Sequence, residues 1–342
     1  MHICSERKCN ASVTHDLRLW EIVPHEVSAR PDDGGDPGAA SLLAAAELYY
    51  HDHLSQQQIA DRLGISRSTV SRMLQLARAS GIVHIEIRRP LLASDLAGRL
   101  ESALGLRRAV IVPTSPRGEL QALVAPALAE IERLALRPGD AMAISWGATM
   151  WGIAQARRFP SLRGVCLVPA IAGLDETDVR FQTNEIARRI ADASGADVRF
   201  LHSPALPSEE LRRSLLADPE AGRRLALWDE LRAALVGVGP PPGAGLTGPG
   251  HVVAGSVDLG DAVGDVVSRY FDIEGRPTPF ESEERLLGVS RAQLRKAGTV
   301  IGVAAGAAKG SSIIGAARAG LIDVLVTDAA TAAAALEHLD AS

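Results

Sequence analysis

The chain is poor in cysteine and in aromatic side chains, with 3 Cys among 342 residues and Phe, Tyr and Trp together at 4%. Cys4, Cys9 and Cys166 cannot build a disulfide framework, and Cys4 and Cys9 lack the second ligand pair of a structural zinc site. No metal and no cofactor is expected. His51 and His53, two residues apart, would face different sides of a helix, so the histidines are read as solvated or packed side chains. No apolar run approaches the roughly 20 uncharged residues that cross a bilayer. The first residues, with Glu6, Arg7 and Lys8, lack the apolar core of a secretory signal. A cytoplasmic protein without a membrane partner is the expectation, and no repeat of fixed period is visible. A formal net charge of −5 argues against a general nucleic-acid coat, while leaving room for a local basic face.

What is present points to two unequal domains, because 342 residues exceed what one core usually covers. Residues 1–40 have no period and end in Pro/Gly/Asp-rich sequence, and are read as a disordered tail. Residues 41–90 form a first compact unit: helical from Ser41 to Ser80, stopped by Gly81, then alternating apolar and polar over Ile82–Ile87 as a half-buried strand. Residues 91–106 read as a linker or oligomerisation helix, with Leu96, Leu100 and Leu104 on one face of Ser94–Leu104. In residues 107–342 short apolar runs alternate with helical stretches. The runs are Ala109–Val112, Ala141–Ser145, Gly164–Pro169, Val198–Leu201, Ala234–Gly239, Thr299–Val303 and Asp323–Thr327. That order predicts a Rossmann-like, mostly parallel α/β sheet covered by helices, whose ligands bind beyond the carboxyl ends of its strands.

In the first unit, Leu54–Leu74 carries the marks of a helix-turn-helix. Ala60 permits close helix contact, Gly64 can take the left-handed conformation, and Val70 returns an apolar face. Ile59, Leu63, Ile65 and Leu74 complete the expected small core, and Ser55 and Ser66 are placed as N-caps. Gln57, Ser66, Arg67, Ser68, Thr69, Ser71, Arg72 and Gln75 are the candidate DNA contacts, side chains that donate to phosphates and base edges. Over residues 41–90 six arginines (62, 67, 72, 78, 88, 89) meet four acids (47, 52, 61, 86), a surplus of about +2 in an acidic chain. The strand after Gly81 then reads as a wing.

In the second unit, Ser145-Trp146-Gly147-Ala148-Thr149 follows an apolar strand and opens a helix, a turn whose N–H groups and hydroxyls suit an anion. Gly302–Lys309 is a second strand running into a small-residue turn, with Lys309 able to neutralise a phosphate. With Gln182-Thr183-Asn184-Glu185, Leu235–Gly239, Asp261–Asp265 ahead of Phe271-Asp272, and Val324–Asp328, these motifs resemble the SorC family of sugar-binding transcriptional regulators from Leu42 to Leu339.

The resemblance implies a sugar-phosphate isomerase-like domain that keeps binding and has lost catalysis. It implies that Ser145, Gly147 and Thr149 hold a phosphate with help from Lys309, while Gln182, Asn184 and Asp261 meet sugar hydroxyls. Asp328 is expected to cap a helix. The sequence departs from the family pattern at Ala305-Gly306, where two glycines are usual, and at Ala329, where an acid is common. The expected partners are operator DNA, a small sugar or sugar phosphate, and further copies of the chain as a dimer or tetramer, since one helix-turn-helix reads only a few base pairs. The alternative is a sugar-phosphate isomerase or deaminase fused to a DNA-binding head. Such an enzyme would need a carboxylate base and a second acid-base group. Asp261 is the one acid placed near the site, and no histidine follows it at useful spacing.

Overall fold

The computed structural model describes residues 37–83, 93–114, 119–173, 178–242 and 259–341. Contacts divide the chain between Arg89 and Pro90 into two compact units.

The first unit contains α1 (Ala39–Ala46), a π-type turn over Glu47–His51, α2 (Gln56–Leu63) and α3 (Arg67–Ala79). Helix α1 begins within the segment expected to be tail, whose residues 1–36 lie outside the described residues. Leu42, Ala45 and Ala46 of α1 pack on Met73 and Ala77 of α3, while Ile59 and Ala60 of α2 pack on Val70 and Leu74. Leu63, expected in this core, is instead 38% exposed. The helical period would turn Leu63 inward between Ile59 and Ala60, but it is the last residue of α2, where the left-handed Gly64 turns the chain away. Ile82 and Val83 pack beside α3 without forming a strand, and the rest of the expected wing, residues 84–87, lies outside the described residues.

The second unit runs α4 (Ala93–Leu104), β1 (Arg108–Val112), α5 (Glu119–Arg133), β2 (Ala141–Ile144), α6 (Ala148–Ala154), β3 (Cys166–Pro169), α7 (Thr183–Ser194) and β4 (Asp197–Val198). There follow α8 (Glu209–Ala217), α9 (Pro219–Ala226), β5 (Leu231–Gly237), β6 (Gly264–Val266), β7 (Arg269–Phe271), α10 (Arg291–Lys296), β8 (Val300–Val303), α11 (Gly310–Arg318), β9 (Val324–Asp328) and α12 (Ala329–Asp340). Seven strands form one sheet in the order β1-β9-β8-β5-β2-β3-β4. Every pairing in it is parallel. The central strands β2, β5, β8 and β9 are almost wholly buried, which is why they read in the sequence as unbroken apolar runs.

Leu96, Leu100 and Leu104 of α4 are buried in the core of this unit, where α4 packs on β1 and α12. The leucine stripe is therefore spent on packing and is not a free face for joining copies. Strands β6 and β7 form a separate antiparallel hairpin. Its turn places Val267 at φ 54 and Ser268 at φ 57, left-handed values unusual for a β-branched residue. Arg269 anchors the hairpin, donating to the carbonyls of Val289 at 3.2 Å and Gly288 at 2.9 Å and pairing with Glu283 at 3.1 Å.

Between β2 and β5 the direction of winding reverses: β2 leads outward to β3, while β5 leads the other way to β8. Adjacent strands whose connections diverge leave a crevice at their carboxyl ends, the usual ligand position in such sheets. No helix among the described residues is long and apolar enough to cross a membrane.

Candidate functional sites

In the first unit the turn between α2 and α3 is built from local hydrogen bonds. Ser55 and Gln58 form a capping box: the Gln58 N–H donates to Ser55 Oγ at 3.3 Å and the Ser55 N–H to Gln58 Oε1 at 2.9 Å. Gly64 ends α2 at φ 65, and Ser66 Oγ accepts the Thr69 N–H at 3.1 Å to open α3. Among the candidate DNA contacts, Gln57, Ser66, Arg67, Ser68, Arg72 and Gln75 are exposed, and Thr69 and Ser71 are half-buried. Gln57 is already engaged, donating from Nε2 to Asp61 at 2.9 Å. What remains is a basic, hydroxyl- and amide-bearing helix face of the kind that enters a major groove.

In the second unit the candidate residues converge on the backbone that leaves β5. Ser145, buried at the end of β2, accepts the Gly237 N–H at its Oγ at 3.1 Å. Lys309 Nζ donates to the carbonyl of the next residue, Val238, at 2.8 Å. Gly147 opens α6 at φ 105, a conformation that favours glycine, and donates its N–H to the Arg180 carbonyl at 2.8 Å. That bond brings the segment before α7, with Gln182, to the turn that carries Ser145 and the buried Thr149. Burial lowers the Lys309 ammonium from its ordinary range, and the charge of Asp265 pulls it partly back.

Three placements differ from what residue type suggested. Asn184 bridges α7 to Leu201, with Nδ2 donating to the Leu201 carbonyl at 3.0 Å and Oδ1 accepting its N–H at 3.1 Å, so its amide is largely spent on backbone. Asp261 stands exposed in the turn before β6 and makes no hydrogen bond to Ser145 or Lys309. The carboxylate beside Lys309 is that of Asp265, buried in β6, which accepts the Ser268 N–H at 2.8 Å. Its carbonyl takes the Gly239 N–H at 2.9 Å. A Cβ on Gly239 would stand 1.8 Å from Asp265 Oδ1, so a larger residue there requires the carboxylate to shift. Asp265 lay inside a motif read from the sequence, but the contact that reveals it joins two distant segments.

A second residue the sequence did not single out is Thr183, whose buried Oγ1 has no hydrogen-bond partner at the first turn of α7, next to Gln182. Asp328 caps α12, accepting from Ala330 N–H at 2.9 Å, Thr331 N–H at 3.1 Å and Thr331 Oγ1 at 2.6 Å, in keeping with the capping role expected of it. Burial pushes its carboxyl up, but these hydrogen bonds outweigh that and leave it below the usual carboxylate range.

Residues 88–337 match the family described as "Putative sugar-binding domain", and residues 38–90 match the MarR family. The chain is 33% identical over 304 residues to the deoxyribonucleoside regulator of Bacillus subtilis, an alignment that covers 87% of this chain and 97% of that one. It is 32% identical to the sorbitol operon regulator of Klebsiella pneumoniae over 85% of this chain and 96% of the relative. The crystal structure of full-length SorC from Klebsiella pneumoniae superposes with a TM-score of 0.64 at 30% identity, covering 86% of this chain and 98% of that one.

Proposed function

Because the chain belongs to the SorC-type family of sugar-binding transcriptional regulators, we propose that it is a cytoplasmic regulator of a carbohydrate-utilisation operon whose grip on operator DNA is set by a small sugar, in phosphorylated form. The observation that carries this reading is the meeting of Ser145 and Lys309 on successive residues of one backbone, Gly237 and Val238, at the crevice between the diverging strands β2 and β5. A phosphate there would be held at the Ser145–Thr149 turn, with Lys309 supplying charge from a desolvated position where a cation counts most. Gln182 and the orphan hydroxyl of Thr183 offer donors and acceptors to sugar hydroxyls.

The mechanism is linkage: a sugar that prefers one arrangement of the assembly changes DNA affinity in proportion to that preference, and no bond is broken. Two or more copies, as a dimer or tetramer on a pseudo-palindrome, give the helix-turn-helix useful specificity. Catalysis would require a carboxylate base with a second acid-base group over the sugar. Asp265, the buried acid at Lys309, is instead engaged by the Ser268 N–H.

Thermal unfolding against free and phosphorylated pentoses, hexoses and polyols tests the proposal. A ligand at 100 times its Kd adds about 2.7 kcal/mol. A shift confined to phosphorylated sugars and lost in Lys309→Ala is the expected result. Shifts only with unphosphorylated sugars would overturn the phosphate assignment.

A further inference from the structure

Helix α3 advances about 100° per residue, which sorts its polar side chains into an outward stripe and a flank. Val70, Met73, Leu74 and Ala77 face inward. Ser68, Arg72, Gln75 and Ala79 are exposed. They fall within about 60° of one another on the opposite side. Arg67 and Arg78 stand roughly a quarter turn away, together on one flank.

Local bonding narrows the stripe further. Ser66 Oγ lies 2.7 Å from Ser68 Oγ and 2.8 Å from Thr69 Oγ1, so these hydroxyls are occupied in closing the helix start. Ala79 presents only a methyl group. Arg72 and Gln75 remain, long, outward and without a hydrogen bond or ion pair among the described residues.

On the premise that α3 enters the major groove of operator DNA, we infer that Arg72 and Gln75 choose its sequence, reading a guanine and a neighbouring adenine, while Arg67 and Arg78 hold phosphates. The guanidinium fork of Arg72 matches O6 and N7 of guanine, and the carboxamide of Gln75 matches N6 and N7 of adenine. Their three-residue spacing is a rise of about 4.5 Å, close to one base-pair step of about 3.4 Å. The flank arginines lie where the groove wall would run. Arg78 Nε already donates to the Leu74 carbonyl at 3.3 Å, which leaves its charge, rather than a free fork, to face the backbone.

The test uses the full chain and a pool of duplexes with a randomised core. Half-sites enriched by the wild type should contain a guanine next to an adenine. Arg72→Lys keeps the charge but loses the fork, so preference at the guanine should flatten and affinity for the selected sequence fall on the order of 5- to 150-fold, with the salt dependence retained. Gln75→Ala should flatten the adenine alone. Arg67→Ala should weaken all sequences alike and reduce the log–log salt slope by about 0.9, with the enriched sequence unchanged. Arg72→Lys and Gln75→Ala enriching the wild-type sequence undiminished, or Arg67→Ala altering it, would overturn this division of roles. A wild type that enriches nothing would overturn the DNA-binding reading itself.

Discussion

Asn184 holds Leu201 by both of its backbone polar groups, donating to the carbonyl at 3.0 Å and accepting the N–H at 3.1 Å. Leu201 is buried, so both groups would be left without partners if the amide were removed. Each such loss costs about 1–3 kcal/mol. Asn184→Ala should therefore lower the melting temperature of the ligand-free protein by roughly 5–15 °C. An unchanged melting temperature with a lost sugar response would instead make Asn184 a pure ligand contact.

Lys309 makes a prediction in pH. Its folded-state value is lowered from the ordinary 10.5 by burial. Below that lowered value both states are protonated, and the folded state carries the full desolvation penalty. The penalty is released as pH rises through the folded value and has vanished above the unfolded one. Wild type should thus gain stability relative to Lys309→Met as pH rises from neutral toward 10.5, measured as the difference in denaturant midpoints. A flat difference would mean that the ammonium is solvated in the folded state.

Gly239 and Asp265 should behave as one unit. Gly239→Ala places a Cβ against the carboxylate and should cost about 1–3 kcal/mol. In the double variant with Asp265→Ala much of that cost disappears, because the obstructing oxygens are gone. Strict additivity of the two single effects would show that the carboxylate turns aside freely.

Leu100 decides between a packing and a joining role for α4. As a fully buried side chain its replacement by Ala should cost about 2–5 kcal/mol. That loss should be independent of protein concentration and leave the sedimentation behaviour of the folded protein unchanged. A concentration-dependent loss would make α4 part of an interface.

The sheet was legible because a parallel strand buried on both sides is written as a plain apolar run, and each strand of the seven-stranded sheet fell within or beside such a run. The β6–β7 hairpin was not, since its two short strands carry Asp265 and Arg269, charged residues that burial patterns place outside. The same masking hid Asp265 as a neighbour of Lys309: Asp261 and Asp265 share one motif, and nothing local says which is turned inward. Asn184 shows a different limit, because an amide suits a sugar hydroxyl and a backbone peptide equally well. In the helix-turn-helix, the caps at Ser55 and Ser66 and the left-handed Gly64 depend on neighbours one to three residues away, and these were readable.

Among the described residues strand β1 has β9 as its only neighbour in the sheet, with Arg108 opposite Val324. The first strand that the ribosome releases from this unit must wait for the last. Until then Val110 and Ile111 lie on an unpaired edge, in a growing chain that cannot yet close its fold. Loops that long are slow to close, so refolding should be governed by this late pairing, and a chain cut short before Val324 would strand its own beginning.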